Sequence, residues 1–316
     1  MYHEPAKEYW KGRIDSTSDK DSFRFHQTIS LETTENMDTE EKTIALIGFE
    51  CEEGVRRNKG RLGAKEAPNK IRNFLSNMPS SVLGGYSLSD VGNVSCEGEN
   101  MEKAQMELGV HLKKIYSQNA VPIVIGGGHE TLFGHYLGAR CHLQKEARLG
   151  IINIDAHFDM RQEKQPSSGT MFRQILETDE NAGYLCIGIQ PFSNTNALFQ
   201  TADELGCRYF LENDVKENMD AVFQAIDAFS ADYDAIIFTL CTDSISASEA
   251  PGVSAPAAFG LSVSDVRKLL SYIASKDNTI SFDISEVNPA LDENDRTSRL
   301  GAALITEVIH AFSKKN

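Results

Sequence analysis

Six short segments composed almost entirely of apolar residues constrain the fold of this chain more than any other feature. They lie at 43–49, 121–126, 149–154, 184–189, 234–240 and 278–284. Strands that are apolar on both faces are typical of a parallel sheet covered by helices on both sides. Patterns with helical periodicity fall between them, near 64–76, 99–118, 130–146, 195–205, 215–229, 262–275 and 298–313. This alternation predicts an α/β protein with three layers, α/β/α, and a mostly parallel central sheet.

The composition excludes several other classes of protein. The 31 basic and 46 acidic residues leave a formal net charge of −15, which argues against binding to nucleic acid. No run of about 18 apolar residues is present, so we expect no membrane span. The first twenty residues are too polar for a secretion signal, and the six cysteines contain no C-x-x-C pair. We therefore expect a cytoplasmic protein with free thiols.

The domain organisation follows from the same patterns. Residues 1–40 are polar and rich in Ser, Thr, Asp and Glu, which predicts an extension that wraps on the core or is partly mobile. No linker composition appears after residue 40, so residues 41–316 are expected to form a single domain.

Polar residues follow four of the predicted strands, at the edge of the sheet where open parallel sheets bind their ligands. These stretches are GGGHE at 126–130, DAHFD at 155–159, CTD at 241–243 and SEVNP at 285–289. Three of the four contain residue types that bind metals.

The run Asp155-x-His157-x-Asp159 is the most specific of these signals. In an extended segment alternate side chains point the same way, so all three could face one point. Together with His129 and Asp243 they would form an oxygen-and-nitrogen ligand set suited to Mn²⁺ or a similar divalent ion. The alternative is that the aspartates cap helices and the histidines are packed residues. The glycines at 126–128 lack the G-x-G-x-x-G spacing, which excludes a dinucleotide site.

The motifs as a set resemble those of the ureohydrolase family, the arginase and agmatinase group. GGGHE (126–130), NIDAHFDMR (153–161), APGVSAPA (250–257) and DISEVNP (283–289) occur in the family's order, and the resemblance covers roughly residues 43 to 313. It implies an arginase-like fold. Within the family, PGVSAPA (251–257), DAHFDMR (155–161) and SSGTMFRQ (167–174) resemble the branch that hydrolyses N-formimidoyl-L-glutamate to L-glutamate and formamide in histidine degradation.

The resemblance also implies a cofactor, a pair of Mn²⁺ ions. The family's metal ligands map onto His129, Asp155, His157, Asp159, Cys241 and Asp243. Asp155 would bridge both ions, and Cys241 stands where the family usually has a second bridging Asp. A thiolate suits Mn²⁺ less well than a carboxylate. Cys241 is therefore expected either to ligate a weakened second site or to be a buried small residue beside the other five.

Substrate contacts are expected from basic residues. Arginases place a histidine in the loop after the metal motif where this chain has Phe172, which disfavours arginine as the substrate. Arg161 and Arg173 could instead bind the two carboxylates of N-formimidoylglutamate, unless they form surface ion pairs. The basic loop 56–61 is a further candidate, with Asn58 and Arg61 as the expected contacts, although a solvated loop is the usual explanation of such a run.

The family's mechanism assigns catalytic roles to Asp159 and Glu286. A hydroxide held between the metals would attack the amidine carbon, Asp159 would orient it and carry the proton, and Glu286 would accept hydrogen bonds from the amidinium. Glu286 could alternatively pair with Arg296 or Arg299. A sister enzyme acting on agmatine or another guanidino compound, and a non-catalytic binding protein of the same fold, stay open. The family implies a homo-oligomer, with no nucleic-acid or membrane partner.

Overall fold

A computed structural model describes residues 1–37 and 42–315 of the chain. Within these residues ten strands form one sheet with the order β1-β4-β3-β5-β10-β9-β6-β7-β8, and β2 pairs with β4. Every pairing is parallel except that of β1 with β4. The strands are β1 (Tyr2–His3), β2 (Ser30–Leu31), β3 (Thr43–Glu50), β4 (Ser87–Ser95), β5 (Val121–Ile125), β6 (Leu149–Ile154), β7 (Ala182–Ile189), β8 (Arg208–Leu211), β9 (Ala235–Cys241) and β10 (Thr279–Ser285).

Eleven α-helices occur within the described residues. They are α1 (Phe25–Thr28), α2 (Glu53–Arg57), α3 (Ala67–Leu75), α4 (Met101–Ser117), α5 (Thr131–His142), α6 (Met171–Thr178), α7 (Asn196–Glu204), α8 (Glu212–Glu217), α9 (Met219–Ala231), α10 (Val263–Ala274) and α11 (Arg296–Ser313). Local sequence explains several boundaries. The side chain of Ser262, for example, accepts a hydrogen bond from the backbone of Asp265 at the start of α10.

Two apolar cores separate the layers of the fold. One core packs α3, α9, α10 and α11 against one face of the sheet, and the other packs α4, α5 and α6 against the opposite face. Successive residues of β9 point into different cores, with Phe238 in the first and Ile237 in the second. The predicted three-layer α/β/α architecture is therefore confirmed, and each of the six predicted strands lies within two residues of an observed one.

Strand β4 was not expected from the sequence, because its central residues are polar. Asp90 and Asn93 lie in this strand but are buried. The Arg72 guanidinium, itself buried, donates to both oxygens of Asp90 at 2.9 and 2.7 Å and also binds Asn93. A partner 18 residues away thus lets a strand of loop-like composition lie inside the sheet.

The N-terminal segment is part of the same body. Trp10 and Phe25 are buried, and the indole Nε1 of Trp10 donates to Asp90 at 2.7 Å. The expected boundary between residues 40 and 41 lies outside the described residues. Among the helices of the described chain, none is both long and apolar enough to span a membrane.

Candidate metal centre

The loop between β5 and α5 brings His129 to the carboxyl edge of the sheet. It passes so close to the end of β3 that a Cβ atom on Gly127 would lie 1.9 Å from the backbone oxygen of Cys51. That oxygen also accepts a hydrogen bond from the nitrogen of Gly128 at 2.9 Å. The glycines therefore permit a close backbone approach that fixes the position of His129.

His129 joins two carboxylates from the loop after β6. Its Nδ1 atom lies 3.0 Å from Oδ2 of Asp155 and 2.9 Å from Oδ2 of Asp159. His129 and Asp155 are almost fully buried. Burial alone would lower the pKa of His129, but the two carboxylates outweigh it and raise the pKa well above its usual range.

The segment 155–159 is bent rather than extended, which corrects the geometry expected from the sequence. The backbone of Asp159 adopts a left-handed conformation with φ of 50°. The nitrogen of His157 donates to Oδ1 of Asp155 at 2.9 Å, a local hydrogen bond that stabilises the bend. The three side chains still reach one region because the strained residue turns Asp159 back toward His129.

A second group of potential ligands surrounds His157. Its Nδ1 atom lies 3.3 Å from Oδ2 of Asp243 and 3.6 Å from Oδ1 of Asp155. The Oδ1 atom of Asp243 is buried without a hydrogen-bond partner. An unpartnered buried carboxylate oxygen is costly, and a cation would satisfy it.

Cys241 joins His129 and Asp155 in the first group of potential ligands. It is the last residue of β9 and is buried, and its sulfur lies within 4.8 Å of ligand atoms of both His129 and Asp155. Burial and the nearby Asp155 and Asp243 raise the pKa of its thiol well above the usual value. A bound cation would reverse that shift because thiols that coordinate metals are deprotonated.

The side chains around these two groups fit a divalent cation. The ligand atoms of His129, Asp155 and Cys241 lie within 4.8 Å of one another, and so do those of Asp155, His157 and Asp243. Asp159 adds an oxygen 2.9 Å from His129. Oxygen and nitrogen ligands of this kind suit Mn²⁺. The sequence-predicted ligands are thus brought together, with Cys241 among them.

Glu286 faces the same space from the loop after β10. Its backbone is left-handed with φ of 68°, and its Oε1 atom accepts a hydrogen bond from the nitrogen of His129 at 2.9 Å. Burial, together with Asp243, raises the pKa of Glu286 to about 8. The alternative arginine pairings are absent from the described residues, since Arg296 pairs with Glu293 and Arg299 lies over the ring of Phe74.

A cavity of about 410 Å³ opens above the candidate ligands. Three cationic residues line it, Lys59, Arg61 and Arg161. The guanidinium of Arg61 donates to the backbone oxygens of Ser254 and Val253 at 2.9 and 2.8 Å. Lys59 and Ser254 were missed in the sequence, although Lys59 lies within the basic run and Ser254 within the PGVSAPA motif.

Two other residues of that basic run do not contribute free charge to the cavity. Arg56 and Arg57 belong to α2, and the buried carboxylate of Glu53 binds both. Arg57 also pairs with Glu102. The positive patch expected over 56–61 is therefore restricted to its second half. The sequence could not show this because Glu102 is 45 positions away from Arg57.

Arg173 and Phe172 occupy α6, which lies beside the cavity. Arg173 donates to Glu177 at 2.8 Å, one helical turn further on, and it does not line the cavity of the described residues. Without a substrate present, Arg173 thus forms the ion pair that was the alternative to a substrate contact. Phe172 is buried, stacks on Tyr184 with ring centroids 4.0 Å apart, and packs edge-on against His129.

The sequence matches the model of the arginase family over residues 42–311. The chain is 52% identical over 318 residues to a formimidoylglutamase of Geobacillus sp. (strain WCH70), covering 100% of this chain and 98% of that protein. It is 42% identical over 327 residues to a formimidoylglutamase of Clostridium tetani (strain Massachusetts / E88), covering 99% and 97% respectively.

Solved structures give the same fold. The formiminoglutamase of Trypanosoma cruzi with Mn²⁺ matches with a TM-score of 0.82 and 26% identity, over 93% of this chain and 99% of that one. The formimidoylglutamase of Bacillus subtilis subsp. subtilis str. 168 matches with a TM-score of 0.83 and 23% identity, over 95% of each chain.

Proposed function

This chain belongs to the arginase family, and from that membership and the charge of its cavity we infer that it hydrolyses N-formimidoyl-L-glutamate to L-glutamate and formamide. The relatives named formimidoylglutamase match it over its whole length. The reaction makes it a hydrolase that acts on a linear amidine.

The observation that carries this assignment is the opposition of charges in the cavity. The carboxylates and imidazoles that line it are buried or half-buried, whereas Lys59, Arg61 and Arg161 are exposed, so the negative charge lies deeper than the positive charge. The substrate has the matching polarity, with a cationic amidine at one end and two carboxylates at the other. Arginine residues bind carboxylates well because the planar guanidinium can donate two parallel hydrogen bonds.

We propose that two Mn²⁺ ions occupy the base of the cavity. His129, Asp159 and Cys241 would hold one ion, His157 and Asp243 the other, and Asp155 would contact both. When bound, such ions act as Lewis acids and lower the pKa of a water toward neutrality. The unpartnered oxygen of Asp243 and the sharing of Asp155 between the two imidazoles support this arrangement.

Asp159 and Glu286 are the proposed catalytic residues. Glu286 has one oxygen fixed by the backbone of His129, and the side chain lines the cavity where an amidinium N–H group can donate to it. Such a bond stabilises positive charge on the substrate and makes the amidine carbon electrophilic. Asp159 lies beside His129 and lines the same cavity, so its free oxygen can orient a water and accept its proton.

A sister reaction on agmatine or another guanidino compound is the second candidate. A cationic tail would meet three cations at the side of the cavity, so the charge of these residues disfavours it. A non-catalytic role is disfavoured because the candidate ligands and Glu286 converge on one cavity. Assembly into a homo-oligomer and a cytoplasmic location stay predictions.

A substrate panel tests the assignment. The protein loaded with Mn²⁺ would be incubated separately with N-formimidoyl-L-glutamate, agmatine and L-arginine. We expect glutamate from the first substrate and no urea from the other two. Urea without glutamate would retain the metal centre and overturn the substrate.

A further inference from the structure

A continuous series of buried hydrogen bonds runs behind His129, on the side away from the cavity. The Nε2 atom of His129 lies 3.1 Å from Oγ1 of Thr239, and that hydroxyl donates to Oδ1 of Asp283 at 2.7 Å. The other oxygen of Asp283 lies 2.7 Å from Nδ1 of His135. Thr239, Asp283 and His135 are fully buried.

The series of hydrogen bonds continues beyond His135. Its Nε2 atom lies 2.6 Å from the hydroxyl of Ser281, which lies 2.5 Å from the hydroxyl of Tyr116. Thr239, Asp283, His135 and Ser281 each contact a neighbour on both sides, and Tyr116 ends the series. Burial raises the pKa of Tyr116 well above its usual value, so this hydroxyl keeps its proton near neutral pH.

The carboxylate sets the direction of these hydrogen bonds. An ionised Asp accepts only, so the single proton of the Thr239 hydroxyl is committed to Asp283. The Thr239 oxygen is then available to His129 only as an acceptor, and Nε2 of His129 must carry the hydrogen. This conclusion holds whether His135 is neutral or charged, because its Nδ1 donates to Asp283 in both states.

The consequence lies at the other nitrogen of His129. With Nε2 as the donor, the neutral ring has its lone pair on Nδ1, the atom that faces Asp155 and Asp159 at 3.0 and 2.9 Å. That is the form of imidazole that binds a metal. Partners behind a ligating histidine fix both its tautomer and the orientation of its ring.

We propose that Asp283, held by His135, is a positioning residue that directs the Thr239 hydroxyl and thereby fixes His129 in its metal-binding tautomer. The inference rests on the metal role proposed for His129. It assigns a purpose to a buried His–Asp pair that touches neither the cavity nor the candidate ligands directly.

The variant Asp283→Asn tests the direction of the bonds. An amide of the same shape would accept from His135 with its oxygen and donate to Thr239 with its nitrogen. The Thr239 hydroxyl would then turn toward His129, which favours a hydrogen on Nδ1, where the cation must bind. We expect a 10- to 100-fold loss of Mn²⁺ affinity, measured from the free Mn²⁺ signal in electron paramagnetic resonance.

Three further variants separate positioning from packing. Thr239→Val removes the acceptor for His129 at nearly constant volume and should show a similar loss, whereas Thr239→Ser keeps the hydroxyl and should bind Mn²⁺ close to the wild-type affinity. Tyr136→Phe is the matched control. Tyr136 lies on the same helix as His135, but its hydroxyl donates to Asp179 at 2.8 Å and takes no part in the series of hydrogen bonds. It should leave Mn²⁺ affinity unchanged.

The outcomes are distinct. Wild-type Mn²⁺ affinity in a folded Thr239→Val protein would overturn the inference, and that variant decides alone if Asp283→Asn does not fold. An equal loss in Tyr136→Phe would also overturn it, because the effect would then be general. Failure of the wild-type protein itself to bind Mn²⁺ would instead contradict the proposed metal centre.

Discussion

The side-chain oxygen of Asn58 accepts a hydrogen bond from the guanidinium of Arg161, a residue 103 positions further along the chain. Asn58 also donates to Ser168 at 3.2 Å, in the segment that follows Arg161. Asn58 thereby joins the end of α2 to the loop after β6 and holds Arg161 at the wall of the cavity. A fixed guanidinium loses less conformational entropy when it binds a carboxylate.

Arg161→Gln should weaken substrate binding more than turnover. Loss of a charge-assisted hydrogen bond to a carboxylate costs about 1.5–3 kcal/mol, which corresponds to a rise in KM of roughly 10- to 100-fold. Steady-state kinetics with N-formimidoyl-L-glutamate measures this. Arg173→Gln is the matched control, because Arg173 pairs with Glu177 away from the cavity and its loss should leave KM unchanged. A larger effect of Arg173→Gln would reverse the assignment of the two arginines.

Glu286→Gln should reduce kcat by about 10²–10³-fold while the metal content stays at the wild-type level. The amide keeps the volume and can still accept from the backbone of His129. It cannot take up the negative charge that a cationic amidine bound beside Glu286 favours, and that charge is what stabilises the amidinium. Turnover and bound Mn²⁺ would be measured on the same preparation. Near-normal turnover would exclude the role of Glu286, and a loss of metal would place Glu286 in the metal centre instead.

Cys241 should ligate a metal through its thiolate. Replacement of Mn²⁺ by Co²⁺ should produce the intense near-ultraviolet charge-transfer band of a cobalt thiolate, which Cys241→Ser should abolish. Cys207→Ser is the control, because this partly buried cysteine is absent from both groups of potential ligands. If the wild-type protein binds Co²⁺ without the band, Cys241 is a buried neighbour and not a ligand. Cys241→Asp should then leave Mn²⁺ affinity and stoichiometry unchanged.

Glu53 should stabilise the protein only above acidic pH. Hydrogen bonds from Arg56, and also from Arg57, lower the pKa of this carboxylate below its usual value near 4.5. A carboxylate with a depressed pKa contributes stability above the unfolded-state pKa, and the contribution disappears as the pH falls through the folded-state pKa. Glu53→Gln should therefore lower the free energy of unfolding by about 1 kcal/mol at pH 7 and have a smaller effect near pH 3.

Urea denaturation of the two proteins at several pH values measures this difference. Glu66→Gln, at an exposed glutamate just before α3, provides the comparison and should show no pH-dependent difference. An effect of Glu53→Gln that is constant from pH 7 to pH 3 would contradict the ionic origin.

The parts of the fold that the sequence predicts are those with local causes. The apolar runs of β3, β5, β6, β7, β9 and β10 require burial on both faces wherever they lie. Strand β4 could not be predicted, because Asp90 is tolerated inside the sheet only through Arg72 and Trp10, which belong to distant segments. Residue types alone do not reveal such partners.

The same distinction applies to the site. The candidate ligands follow predicted strands, so parallel topology alone brings His129, Asp155 and Asp243 to one edge. The bend over 155–159 was not predicted, because an extended segment has neither the hydrogen bond from His157 to Asp155 nor the left-handed backbone of Asp159. For Arg173 the sequence left two interpretations open, a substrate contact and a surface ion pair, and the structure shows the ion pair with Glu177 one turn away.

Measuring both products of one reaction tests the metal-dependent hydrolysis most directly. Glutamate and formamide would be quantified from N-formimidoyl-L-glutamate with the Mn²⁺-loaded protein, with the chelated protein, and with Asp155→Ala. We predict equal amounts of the two products from the loaded wild-type protein, and neither product after chelation or in Asp155→Ala. Glutamate formation that is unchanged by chelation and by Asp155→Ala would contradict a metal-dependent hydrolysis at this centre.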